Sequence, residues 1–217
     1  RNILGATGIV GDGIPIAAGV GLACKMQNLD RVVVAFFGDG ATNSGAFHEG
    51  VGLAAVWCLP VLFVCQNNQY QQSTPTRDYC RLTDLSDRAK AYGIPGATVD
   101  GNDAVAVAEV AREAIENCRR GKGPILIVAT TYRPYGHHMG DPGTSYRTKE
   151  EIEDWKRKDP IERLRHQLLQ NKIATKAEIE EIHNATLREL DEAVKFSIES
   201  PEPEPEEALE DIYYTAG

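Results

Sequence analysis

The sequence predicts an α/β protein: a mostly parallel sheet with helices on both faces, followed by a helical extension. Three observations predict it. Short β-branched and aromatic runs alternate with segments of helical composition up to about residue 132. One strand, helix and second strand fit within about 30 residues, the length of a single βαβ crossover. Beyond residue 147 the strand-forming runs stop, and three helix-opening signatures follow one another.

The crossover is the clearest element. Residues 32 to 37 (VVVAFF) read as a buried strand, residues 46 to 56 as a helix and residues 61 to 65, after Pro60, as a second strand. On the helix, Ala46, Gly50 and Ala54 recur at a spacing of four. An interior glycine costs about 1 kcal/mol relative to alanine, so close helix packing is expected there, including across a subunit interface. Residues 103 to 118 (DAVAVAEVAREAIENC) read as a helix with Gly121 just past its end, and residues 124 to 131 as another buried strand of the same sheet.

Thr148-x-x-Glu151, Asp159-Pro160-x-Glu162 and Thr175-x-x-Glu178 each set a capping residue three before a glutamate, opening three helices. Ile179, Ile182, Leu187, Leu190 and Val194 mark the expected buried stripe of the last and longest. Residues 201 to 205 (PEPEP) are expected to be extended and solvated. The expected division is an α/β core over residues 1–147 and a helical extension over 148–217. Arg1 reads as an internal start, so an N-terminal part of the core is expected to precede it.

Composition narrows the function. With 217 residues, 42% apolar and 25% charged, the chain can bury a sizeable core. A net charge of -9 with no local basic stripe opposes nucleic acid and anionic membrane surfaces as partners. No apolar run reaches the ~20 residues that a membrane helix needs. The five cysteines (Cys24, Cys58, Cys65, Cys80, Cys118) lack any CxxC spacing, which fits a reducing compartment, and each is expected to be a small buried apolar residue. Bacterial cytoplasm is the expected location, ahead of the mitochondrial matrix.

The residues that carry chemistry follow the first crossover's strands. Gly38-Asp39-Gly40 ends the first, and Asn68, 29 positions beyond Asp39, ends the second. Loops at the carboxyl ends of parallel strands form the ligand crevice, so Asp39 and Asn68 are expected side by side. The two glycines allow close approach of backbone to a diphosphate, yet Asp39 would repel a bare anion. A metal ion resolves the conflict. Magnesium takes six oxygens, which the Asp39 carboxylate, the Asn68 amide oxygen, a backbone carbonyl, two diphosphate oxygens and a water would supply.

Competing readings are weaker. A lone GDG is most often a tight turn, and Gly11-Asp12-Gly13 is such a control: no β-branched strand leads into it, and the residue 29 beyond Asp12 is alanine. A dinucleotide fingerprint would need a third glycine where Asn43 stands, and Gly121-Lys122-Gly123 lacks the hydroxyl residue of a P-loop. Zinc on His137, His138 and Asp141 would require adjacent histidines to converge on one ion.

Over nearly its whole length the sequence resembles the alpha subunits of thiamine-diphosphate-dependent 2-oxoacid dehydrogenases and acetoin dehydrogenases. The stretches that carry the resemblance are GATGIVGDGIPIAAGVGLA (5–23), FFGDGATNSGAFHEG (36–50), AAVWCLPVLFVCQNNQY (54–70), VDGND (99–103) and TYRPYGHHMGDPGTSYR (131–147). The resemblance implies the thiamine-diphosphate-binding fold, with thiamine diphosphate and Mg2+ as cofactors. It implies that Asp39, Asn68 and the Tyr70 backbone carbonyl bind the metal, that Gly40 and Ala41 face the diphosphate, and that Gly8 and Val10 touch the aminopyrimidine ring through their backbone. His137 matches a histidine that lines the active site near the thiazolium. His138 stands where animal pyruvate-specific members carry a regulatory phosphoserine, so that switch is expected to be absent.

The family's activity is decarboxylation of a 2-oxoacid with transfer of the acyl group to a lipoyl group, pyruvate being the expected substrate here. The paired His137-His138 and the run Ser73-Thr74-Pro75-Thr76 are similar to branched-chain members, whereas GATGIVGDGIP and DPG are similar to pyruvate and acetoin members. Cleavage of acetoin with the same cofactor is the alternative, and a non-catalytic scaffold subunit that kept the fold is a second. The resemblance implies a heterotetramer with a beta subunit, which supplies the glutamate that activates the cofactor, and a lipoyl-bearing acyltransferase partner. The family also has an upstream segment that helps to hold the cofactor, and nothing in this sequence matches it.

Overall fold

A computed structural model describes residues 2–210, so Arg1 and the last seven residues of the expected extension lie outside the described residues. The chain divides into two compact units, Arg1–Leu164 and Arg165–Gly217.

The first unit is built on four parallel strands: β1 (Val33–Gly38), β2 (Val61–Asn67), β5 (Gly96–Asp100) and β6 (Ile125–Thr130), in the spatial order β1-β2-β6-β5. Sequence explains the order. The strands with nearly unbroken apolar runs, VLFVCQN and ILIVAT, occupy the centre, where both faces are covered. The edge strands β1 and β5 alternate between buried and more exposed positions.

Helices α1 (Gly13–Met26) and α2 (Gly45–Val56) cover one face, where Ile14, Phe47 and Val51 pack with Phe37, Phe63 and Val128. Helix α4 (Ala104–Arg119) covers the other, setting Ala114 and Cys118 against Leu62, Ile125 and Ile127. The small-residue stripe of α2 is used within the chain. A Cβ on Gly50 would stand 2.7 Å from the Pro15 backbone nitrogen, so the glycine lets α1 and α2 cross in contact.

Two elements of the first unit have no periodic signal. Helix α1 (GIPIAAGVGLACKM) is apolar almost all round, which leaves no polar stripe to reveal its turn. Strand β5 is a five-residue edge strand that opens on glycine. Four of the cysteines are buried, as expected. Cys58 is not: it is exposed at a left-handed turn position, φ 47°, just past α2.

After β6 a long loop leads to α5 (Lys149–Lys156) and α6 (Pro160–Gln170). Thr148 caps α5 by accepting the Glu151 N–H at 3.1 Å, and Asp159 Oδ1 accepts the Ile161 N–H at 2.7 Å. In the second unit, α7 (Lys176–Glu199) opens on a full capping box between Thr175 and Glu178. Its apolar stripe corrects the expected burial: Ile179 is only partly covered, and Ile182, Leu187, Leu190 and Val194 are 46 to 66% exposed. Helical period marks which residues share a face, and it does not supply a surface to cover that face. Residues 201–204 are exposed without regular structure and lead into a 3-10 turn, Pro205–Leu209.

Candidate functional site

Strands β1 and β2 are neighbours, with Gly38 in register with Gln66, so both chains leave the sheet at one edge. The first leaves as a 3-10 turn, Asp39–Asn43, closed by the Thr42 hydroxyl donating to the Asp39 carbonyl at 2.7 Å. Ser44 ends the turn and caps α2, its Oγ accepting the Phe47 N–H at 3.2 Å.

The second leaves through two successive side-chain turns. Asn67 Oδ1 accepts from the Gln69 N–H and Asn68 Oδ1 from the Tyr70 N–H, both at 3.0 Å, with Gln69 between them at φ 72°. A short hairpin follows, β3 (Tyr70–Gln71) paired with β4 (Thr74–Pro75). It lies against the Asp39 turn, for a Cβ on Gly40 would stand 2.8 Å from Gln71 Cγ. That close approach requires the glycine, whose expected task was to let backbone reach a ligand.

Asp39 is 1% exposed. Its Oδ2 accepts from the Tyr79 hydroxyl and from Thr76 Oγ1, the latter at 3.3 Å. Both donors lie on the short helix α3 (Thr76–Tyr79) that follows the hairpin. Among the described residues, Oδ1 accepts no hydrogen bond and no Lys, Arg or His pairs with the carboxylate. A nearly buried carboxylate with one oxygen free of protein donors and no ion-pair partner is a natural acceptor for a cation, which would stand beside Oδ1.

Burial, with the Asp39 charge adding to it, pushes the neighbouring Cys65 thiol up to about 12. Burial and then the bond to Asp39 raise the Tyr79 hydroxyl above the ordinary phenol range, so it stays a donor. Asn68 Oδ1 has spent one of its two lone pairs on Tyr70. The donors at this edge are all oxygens, a set that suits a small hard cation. Among the described residues no group of three or more His, Cys, Asp or Glu could hold a metal.

The loop after β6 carries His137, which is exposed. Its backbone N–H donates to Asp141 Oδ2 at 2.7 Å, and Asp141 also accepts from the Gly143 N–H and the Tyr146 hydroxyl. These bonds, the one from His137 foremost, hold the Asp141 carboxyl well below the usual carboxylate range. Arg133 Nη1 stands 3.3 Å from His137 Nδ1.

Arg147, 5% exposed, closes the loop: its guanidinium donates to the carbonyls of Gly143 at 3.0 Å, Tyr135 at 2.8 Å and Arg133. It also sits 5.0 to 5.6 Å from the centres of the Tyr146, Tyr132 and Tyr70 rings. Glu151 does not reach back to cap α5. Its Oε1 accepts both the Tyr70 and the Tyr132 hydroxyls at 2.8 Å. The side chain of Tyr70 is thereby tied to the cluster that closes the His137 loop.

Gly8 and Val10 lie in an exposed segment without regular structure, and no hydrogen bond among the described residues joins them to the Asp39 turn. Their neighbour Gly11, at φ 95°, does pack there: a Cβ on it would stand 2.5 Å from Ser44 Oγ. Ala41, beside Gly40, is buried. Tyr79 and Arg147 carried no signal in the sequence, and Glu151 carried only that of a capping residue. Tyr79 stands 40 residues past the aspartate that it contacts, and the partners of Arg147 are backbone carbonyls and ring faces.

The sequence profile described as "Dehydrogenase E1 component" matches residues 1–206. The alpha subunit of acetoin:2,6-dichlorophenolindophenol oxidoreductase from Bacillus subtilis (strain 168) is 46% identical over 214 residues, 98% of this chain and 63% of that protein. The somatic mitochondrial alpha subunit of the pyruvate dehydrogenase E1 component from Homo sapiens is 42% identical over 214 residues, 98% of this chain and 54% of that protein. The chain thus spans between about half and two thirds of the length of these curated relatives.

Proposed function

This chain belongs to the dehydrogenase E1 component family, and we propose that it is the alpha chain of a thiamine-diphosphate-dependent dehydrogenase that decarboxylates a 2-oxoacid, pyruvate foremost. The acyl group passes to a lipoyl group on an acyltransferase partner, and the working unit is a heterotetramer with a beta subunit. Bacterial cytoplasm is the proposed setting. One observation carries the reading: the Asp39 carboxylate is buried at the carboxyl edge of the sheet, and among the described residues its Oδ1 accepts no hydrogen bond and no Lys, Arg or His forms an ion pair with it. A scaffold subunit without a cofactor would gain nothing from that arrangement.

Asp39, Asn68 and the Tyr70 carbonyl hold Mg2+, whose charge lets an anionic diphosphate settle beside an aspartate. Gly40, whose missing side chain makes room for Gln71, and Ala41 next to it face the diphosphate through their backbone. Gly8 and Val10 offer backbone groups to the aminopyrimidine. Bound thiamine diphosphate supplies the nucleophilic carbon that adds to the substrate carbonyl and takes up the electrons released as carbon dioxide departs. His137 stands at the loop surface, where it orients the reacting oxygen and moves a proton during transfer to lipoyl. Its backbone bond to Asp141 and the contact with Arg133 set the position of the ring.

Acetoin cleavage is the second reading, favoured by the 46% identity to a subunit named for acetoin. Both use the same Asp39 site. Full-length chain joined to its beta partner and assayed in parallel with pyruvate, branched 2-oxoacids and acetoin ranks them by artificial-acceptor reduction. In the same assembly Asp39→Ala is expected to abolish Mg2+-dependent binding of thiamine diphosphate in calorimetry. An unchanged affinity would overturn the site.

A further inference from the structure

The two hydroxyls on Asp39 come from one element. Thr76 and Tyr79 are the first and last residues of α3, three apart and so on one face of its single turn. Helix α3 hangs from the other half of the site, since the Thr76 N–H donates to the Gln69 carbonyl at 2.9 Å, one residue past Asn68. At its far end the Tyr79 carbonyl accepts from Asn43 Nδ2, at 3.4 Å, on the Asp39 turn itself. The helix is therefore fixed at both ends to the two turns that carry the oxygens, and both of its hydroxyls converge on the same carboxylate oxygen, Oδ2.

A carboxylate with one oxygen occupied by two donors has one oxygen left to offer a cation. Mg2+ demands compact octahedral geometry, whereas Ca2+ takes a larger and looser shell in which a carboxylate often binds through both oxygens. We infer that Tyr79 and Thr76 are positioning residues that hold Asp39 as a one-oxygen ligand through Oδ1, and that this clamp sets the preference of the site for Mg2+ over Ca2+. The inference rests on the reading of Asp39 as a metal ligand.

The clamp is tested on the full-length chain assembled with its beta partner. Calorimetry measures thiamine diphosphate binding while Mg2+ or Ca2+ is varied, so catalysis is not needed. Tyr79→Phe keeps the ring and removes the hydroxyl. It is expected to raise the Mg2+ concentration for half-maximal binding about tenfold, the low end of what loss of a partner to a metal ligand costs. Ca2+ is expected to shift less, so the Mg2+/Ca2+ preference narrows. Thr76→Val should move the ratio the same way by a smaller factor, and Thr76→Ser, which keeps the hydroxyl, should restore it.

A merely structural role for Tyr79 would weaken both ions equally. An unchanged ratio in Tyr79→Phe and Thr76→Val overturns the clamp even where affinity falls. Asp39→Ala separates the two levels. If it abolishes metal dependence while the α3 variants keep the parent ratio, only the clamp fails. If it leaves metal dependence intact, the metal reading fails and takes the clamp with it.

Discussion

The Asp39 turn and the His137 loop both follow strands of one sheet, yet they are held in opposite ways. Asp39 is almost fully buried, fixed by neighbours from α3 and backed by β1 and β2. His137 is exposed, and its loop is held largely by its own residues: Asp141 inside it and Arg147 at its base. Burial raises the worth of a charge and of every bond to it, which would suit the cation-holding role proposed for Asp39. A loop closed on itself can present a side chain to a large partner without exposing the core. The difference is consistent with the anchoring proposed for one region and the encounter proposed for the other.

The largest effect expected on this comparison comes from Arg147→Gln. It strands the carbonyls of Gly143, Tyr135 and Arg133 and removes a cation from three ring faces. Loss of hydrogen bonds from a buried charged group typically costs about 2–4 kcal/mol in sum, read here as a drop in unfolding free energy by denaturant titration. Chymotrypsin cleavage after Tyr135 should accelerate, while amide hydrogen exchange in residues 39–43 stays slow. Equal loss of protection in both regions would show that the two are one unit and break the comparison.

A smaller and more selective effect is expected from His137→Ala, which leaves the loop's backbone bonds in place. Acyl transfer to lipoyl should slow about 100-fold, the low end for losing a proton-transferring side chain. Thiamine diphosphate affinity, measured by calorimetry, should change far less. Equal acylation rates in variant and parent would remove His137 from the reaction and leave the loop a docking role alone.

Much of this contrast could be read from the residues, and the part that could not has a physical reason. The strands were legible because VVVAFF and VLFVC are β-branched and aromatic runs with turn residues at their ends. The shared edge of the turns that carry Asp39 and Asn68 was legible because parallel strands one crossover apart must deliver their carboxyl ends to one edge, as the register of Gly38 with Gln66 does. Tyr79 was not, since a tertiary hydrogen bond across 40 residues leaves no period or spacing behind. Glu151 was legible as a capping residue and proved to hold Tyr70 and Tyr132, a choice between two acceptable partners that local sequence does not make. The stripe on α7 was legible as a helix face while its covering was not, for the same reason: period is local and burial is not. His137 was singled out by resemblance to a family rather than by its own surroundings.

The smallest effect, and the one that separates the two regions by pH, is expected at Asp141. Its carboxylate is stabilised in the folded loop by the N–H groups of His137 and Gly143 and by the Tyr146 hydroxyl, so its folded pKa lies below its unfolded value. A depressed carboxyl contributes stability that is fully present above the unfolded pKa, about 4, and is lost as the pH falls through the folded one. The loop's resistance to chymotrypsin should therefore stay level between about pH 7 and pH 5, since the carboxylate remains ionised throughout that range. Asp141→Asn should lower the resistance across the same range, because the amide keeps the shape but loses the charge, and its NH2 cannot accept, so at least one of the three bonds received by Oδ1 and Oδ2 goes unmade. A parent loop that loosens already between pH 7 and pH 5 would mean that a group other than Asp141 controls its closure.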